Sequence, residues 1–124
     1  MTIVPSCPAL LIHDDDSFRQ SLIARLDEKH FTVTYVSGSA EAVKALEQRP
    51  FKVILVSVDL RRRLGLDVLN YLKQHRAALN GTGIIILGEP DPELRLHVSV
   101  ADETLLKPVD PSYVAARAQA YCRD

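Results

Sequence analysis

Several groups of residues in this chain carry side chains able to do chemistry. Asp14, Asp15 and Asp16 are consecutive carboxylates, and such a run repels itself unless it is hydrated or neutralised by a cation. Hard oxygen ligands of this kind suit Mg²⁺, which takes one or two carboxylates and keeps several waters. The same acids also suit the first turn of a helix, whose dipole favours negative charge, and the run alone is compatible with either role. Lys107, lodged between two leucines and Pro108, could pair with that acidic run or hold a phosphoryl oxygen as a point charge. In the stretch VILVSVD a buried apolar run closes on Ser57 and reaches Asp59 two residues later. An aspartate attacks as an anion, whereas a serine hydroxyl needs a general base or a lowered pKa. His13 is the nearest histidine, and at the end of an apolar strand it reads as a core or rim residue rather than that base. The triplet Arg61, Arg62 and Arg63 could grip a phosphate, an acidic partner or the protein's own aspartates, although a solvated charge run is its commoner fate.

These residues need a frame that brings them together, and the hydrophobic pattern supplies one. Ala9 to His13 is a continuous apolar run closed by acids, followed by Phe18, Leu22, Ile23 and Leu26 at helical spacing. Phe31 to Val36 is rich in β-branched and aromatic residues, and the helix after it carries Val43 and Leu46, with Ser37 or Ser39 as its N-cap and Pro50 as its stop. KVILVS forms a third strand, and a helix with Leu66, Leu69 and Leu72 on one face follows. GIIILG, Gly83 to Gly88, is the strongest strand signal. The segment after it is poorly patterned, which predicts a fourth helix that is short or irregular. ETLLK makes a fifth strand, and Pro108 and Pro111 flank the turn into a last helix bearing Val114, Ala118 and Tyr121. Apolar strands separated by helices imply a parallel sheet covered on both faces, a doubly wound α/β sandwich. Ligands of such sheets sit beyond the carboxyl ends of the strands. That edge holds His13 to Asp16, Ser57 to Arg63, Gly88 with Glu89, and Lys107.

The 124 residues are a single domain's worth, so one domain over 1–124 is expected. With 47% hydrophobic and 25% charged residues the composition is that of an ordinary globular protein. A net charge of -1 and the lack of aromatic residues among the arginines argue against direct nucleic-acid binding. No apolar run approaches the ~20 residues needed to span a bilayer, and the N-terminus lacks a secretory pattern. A cytoplasmic location is the default expectation. Cys7 and Cys122 stand near opposite ends without Cys-x-x-Cys spacing, and in a reducing compartment both are expected to be free thiols.

The series LLIHDDDSFRQSL, VILVS, GLDVLNYLK, GIIILGEP and LLKPVDP resembles the receiver domain of two-component response regulators over essentially the whole chain. The resemblance implies a flavodoxin-like (CheY-like) five-stranded parallel sheet of order 2-1-3-4-5 with five helices. It also implies a phosphoryl group passed from a histidine kinase to an aspartate, with Mg²⁺ beside it. Carried over, Asp14 and Asp15 match the metal-binding acidic pair, with Asp15 and Asp16 as the alternative register. Lys107 matches the family's lysine, and its bond to Pro108 the family's cis peptide. Counting back from Gly65, which matches the glycine opening the third helix, the phosphoacceptor position falls on Ser57, where the family has aspartate. Asp59 falls where the family uses a backbone carbonyl, so it is an alternative acceptor with a weaker claim.

Other departures run in the same direction. Gly88 replaces a threonine or serine, Thr104 an aromatic residue, and Arg61 a proline. An intact frame around an altered centre resembles a degenerate receiver. Such a module is expected to be no enzyme, to bind Mg²⁺ weakly through Asp14 and Asp15, and to need no other cofactor. The resemblance further implies contact with a histidine kinase, an effector domain or a second copy, as monomer or homodimer, through the face made by the fourth helix, fifth strand and fifth helix. Two other readings stay open: a working receiver that uses Asp59 or Ser57, and a small phosphate- or nucleotide-binding protein that uses Lys107 and Arg61 to Arg63.

Overall fold

The computed structural model describes residues 6–12 and 16–122. Strands β1 (Cys7–Ile12), β2 (Phe31–Val36), β3 (Val53–Val58), β4 (Gly83–Gly88) and β5 (Glu103–Leu106) alternate with helices α1 (Asp16–Glu28), α2 (Ser39–Gln48), α3 (Leu66–Gln74) and α4 (Pro111–Gln119). All neighbouring strands pair in parallel, in the order β2-β1-β3-β4-β5. The five-stranded doubly wound sheet expected from the sequence is therefore present.

Strand alternation sorts the core into two layers. Leu10, Ile54, Val56, Ile84 and Ile86 face one side, where α2 and α3 cover them with Ala42, Ala45, Val68, Leu69 and Leu72. Ala9, Leu11, Val53, Leu55, Ile85 and Leu87 face the other, under Leu22 and Leu26 of α1 and Val114, Ala115 and Ala118 of α4. β3 and β4 are buried along their whole length, as expected of central strands whose two faces are both covered. Each fully buried leucine or isoleucine contributes about 1.5–3 kcal/mol, so these two strands anchor the frame.

Several local details differ from the sequence reading. Four α-helices form rather than five. In place of the fourth, an irregular stretch through Pro90 and Pro92 leads to a single 3₁₀ turn at Leu94–Leu96, because the two prolines supply no N–H and only Leu94 and Val100 offer buried apolar anchors. Neither Ser37 nor Ser39 caps α2. Gly38 is the N-cap, in extended conformation without a side-chain bond, and Ser37 Oγ instead donates to Glu41 at 3.4 Å. The fully buried residues of α2 are Ala42 and Ala45, whose small side chains let the helix approach the sheet closely, with Leu46 packed partly buried beside them. At the last helix, Pro111 occupies the first turn, and Asp110 caps it by accepting from Ser112 N at 2.7 Å.

The cysteines are also not free thiols. Cys7 and Cys122 form a disulfide with their Cα atoms 5.7 Å apart. The topology explains the meeting. α4 runs back against the strand direction, so the chain after it arrives at the edge where β1 begins.

Candidate functional site

Ser57 is the only polar residue in the buried class among the described residues, at 8% exposure. Burying a hydroxyl without a partner costs roughly 1–3 kcal/mol. Here the partner is Lys107, whose Nζ donates to Ser57 Oγ at 2.9 Å. Both residues are placed by the sheet. Ser57 pairs with Leu87 in the ladder and shares the side-chain parity of Val53 and Leu55, so it points to the α1 and α4 side. Lys107 follows β5 directly, its backbone N–H donates to Gly88 O at 2.8 Å, and its bond to Pro108 is cis.

Gly65 closes the loop between Ser57 and α3. Its φ of 87° lies in the left-handed region, and a Cβ there would stand 2.6 Å from the Ser57 carbonyl oxygen. Only glycine fits both demands. The loop it closes is held by a two-way backbone bridge between Asp59 and Leu64 (N···O 3.1 and 2.9 Å).

Within that loop the Asp59 carboxylate is fully engaged. Oδ1 accepts from the backbone N–H groups of Arg61 (3.0 Å) and Arg62 (3.3 Å), and Oδ2 accepts from Arg62 Nε at 2.9 Å. The Arg62 guanidinium beside Asp59, helped by these backbone donors against a burial penalty, holds its carboxyl below the usual value. The arginine triplet thus separates into different tasks. Arg62 pairs with Asp59. Arg61 lines a 190 Å³ cleft with Asp59, Glu89 and Asp91. Arg63 lines a 160 Å³ cleft with Ser37, Ser39, Ser57 and Asp67.

His13, Asp14 and Asp15 lie outside the described residues, and of Asp16 only its place as the first residue of α1 is described. The described donors do not by themselves suit a divalent cation. The Ser57 oxygen already accepts from an ammonium, and the Asp59 carbonyl accepts from Leu64 N. A cation at Ser57 Oγ would face the positive charge of Lys107 across hydrogen-bond distance.

The remaining singled-out positions lie at the carboxyl ends of β4 and β5. Thr104 pairs with Ile86 and is half-buried. Gly88 pairs with Val58 and Leu106. The room a side chain at Gly88 would use is taken by Leu94, whose Cδ2 would lie 3.0 Å from an added Cβ. Sequence reasoning missed this pairing of an absent side chain with a leucine from the following turn. The two leucines between Pro92 and His97, Leu94 and Leu96, did not reveal which of them turns inward.

Comparison with known proteins agrees with this fold. A sequence model described as the response regulator receiver domain matches residues 9–119. The transcriptional regulatory protein SrrA of Staphylococcus aureus is 28% identical over 117 residues, covering 92% of this chain and 47% of SrrA. The chain thus spans about half the length of the curated relatives it matches. The receiver domain of a signal transduction histidine kinase from Syntrophus aciditrophicus superimposes with a TM-score of 0.80 at 21% identity, covering 94% of this chain and 90% of that one. A CheY-like receiver domain protein from Methanospirillum hungatei gives 0.78 at 20% identity, covering 94% and 93%. With the family sequence model spanning most of the chain and the fold carrying the same strand order, this protein belongs to the response regulator receiver domain family.

Proposed function

We propose that this chain is a degenerate receiver of two-component signal transduction, a module that signals through protein contacts without phosphorylation on aspartate. The observation that carries this reading is the Lys107 to Ser57 hydrogen bond of 2.9 Å. It supports Ser57 as the residue at the phosphoacceptor position, and a neutral hydroxyl held by an ammonium is a poor nucleophile. Asp59 is a poor substitute, because each of its oxygens already accepts from the loop it closes. Leu94 packed over Gly88 favours the same conclusion, since it puts an apolar group where the family carries a hydroxyl.

In this reading the protein is not an enzyme and acts in the cytoplasm. Among the described residues no helix is long and apolar enough to cross a membrane. Mg²⁺ binding by Asp14 and Asp15 would be weak for want of the third carboxylate. The contact face is the Leu94–Leu96 turn with β5 and α4, which together stand where the fourth helix, fifth strand and fifth helix were expected. Three of the four large apolar side chains exposed among the described residues, Leu96, Leu106 and Tyr113, fall on these elements. The partner would be a histidine kinase, an effector domain or a second copy of the chain.

The test is incubation with acetyl phosphate and Mg²⁺, read by intact mass. The native chain should gain no acid-stable, base-labile phosphoryl group, and Ser57→Asp should be the variant in which one can appear. A phosphoryl adduct on the native chain that vanishes in Asp59→Asn would overturn the proposal.

A further inference from the structure

The last turn of α4 and the residues that follow it are fastened to the sheet by several unlike contacts that converge on one small region. Cys122 is bonded to Cys7, 115 positions away. Beside it, Tyr121 packs its ring over Gly83, where an added Cβ would come within 2.3 Å of the ring. Tyr121 OH also donates to Glu103 Oε2, while Arg117 Nε donates to Glu103 Oε1 at 2.7 Å.

The two sulfurs differ in setting. Cys7 is 8% exposed, opens β1 and is paired with Phe31 in the ladder. Cys122 is half-buried, lies past the end of α4, and its backbone N–H donates only to Gln119 O in the adjoining turn. Cys122, partly buried against the same core layer as Cys7, is therefore the less buried of the two cysteines and the side from which an external thiolate would attack. Breaking the bond frees the turn that follows α4, whereas β1 keeps its ladders to β2 and β3 and its place in the core.

We propose that Cys7 and Cys122 form a reversible thiol–disulfide site, exchanging with low-molecular-weight thiols and disulfides while the domain stays folded. A thiolate RS⁻ attacks Cys122 Sγ. The bond to Cys7 breaks, and Cys7 leaves as a thiolate that takes a proton. A second RS⁻ attacks the R-bearing sulfur of the mixed disulfide, releasing RSSR and the Cys122 thiolate, which is protonated in turn. The protein gains two electrons and two protons, and two RSH become one RSSR. Oxidation runs the same steps backwards, with RSSR as the oxidant. Because the bond closes a loop of nearly the whole chain, its loss releases a large conformational freedom in the unfolded state. The Tyr121 and Arg117 contacts to Glu103 keep the reduced form native.

The experiment equilibrates the full chain, without denaturant, in mixtures of reduced and oxidised glutathione, then blocks free thiols with an alkylating reagent and reads intact mass. The expected result is a smooth passage between molecules alkylated at both cysteines and molecules alkylated at neither. Reduction should lower Tm by about 10 °C and increase amide hydrogen exchange in residues 117–122 while β3 and β4 stay protected. Cys122→Ser, on the less buried side, should melt like the reduced protein whatever the redox buffer. The proposal is overturned if both thiols alkylate in the oxidised folded protein, if the bond yields only when denaturant is added, or if reduction exposes the central strands as well.

Discussion

Lys107 and Ser57, 50 positions apart in sequence, meet at 2.9 Å between Nζ and Oγ, and the lysine thereby satisfies the one polar residue in the described buried core. Removing the amine, as in Lys107→Met, should leave a buried hydroxyl without its donor and cost about 1–2 kcal/mol in urea unfolding. Ser57→Ala should cost less on its own, because it removes the group that needs a partner. A double-mutant cycle should return a coupling of about 1 kcal/mol, and additive losses would show that the two groups do not depend on one another.

Gly65 offers a sharper effect. Gly65→Ala meets both the left-handed φ and the 2.6 Å approach to the Ser57 carbonyl, and the expected loss is about 2 kcal/mol or more. Gly38 is the control. Its backbone is extended, nothing lies within 4 Å of an added Cβ, and Gly38→Ser would supply the missing cap of α2. Denaturant midpoints should show a gain of a few tenths of a kcal/mol for this second change.

At the end of β4, Gly88→Thr should destabilise the native chain by about 1–2 kcal/mol through crowding against Leu94. The same threonine introduced together with Leu94→Ala should cost less than the sum of the separate changes. Thermal melts of the three variants measure this, and simple additivity would mean that Leu94 does not hold that space.

The Glu103 cluster makes stability depend on pH at both ends of the scale. The hydrogen bond from Arg117, followed by that from Tyr121, holds the Glu103 carboxyl below its ordinary value of 4.5. Its contribution is therefore present above that value and lost as pH falls through the lower folded value. Unfolding curves from pH 6 to pH 3 should fall less steeply for Glu103→Gln than for the native chain. Tyr121 goes the other way. Burial first, and then the bond to Glu103, push its hydroxyl up to about 12, so its contribution is complete below its ordinary value of 10 and lost as pH rises toward 12. Tyr121→Phe should remove that alkaline loss and cost about 1 kcal/mol at neutral pH.

The frame was legible because its signals are local. IIIL between two glycines and VILV before Ser57 are apolar on both faces, which dictates central parallel strands, and the rest of the topology follows from handed crossovers. The meeting of Ser57 with Lys107 was legible only through resemblance, since no spacing rule joins residues on different strands. Side-chain commitments were hidden for a related reason. Whether Asp59 is solvated or bound by Arg62 depends on a backbone bridge to Leu64 that a charge run does not encode. The disulfide was missed because a prior about cellular redox state outweighed geometry. The doubly wound topology already implied the answer, as a last helix returning against the strands must end beside the start of β1.

The closeness of Cys7 and Cys122 also has an architectural meaning. With their Cα atoms 5.7 Å apart, the two ends of the folded body form a single doorway on the side of the sheet where strands begin, while Ser57 and Lys107 occupy the side where strands finish. Anything tethered through that doorway, by either end, starts out a strand's length away, roughly 20 Å. Joining residues 6 and 122 by a short linker and reopening the chain in a surface turn should give a permuted molecule with the same central strands.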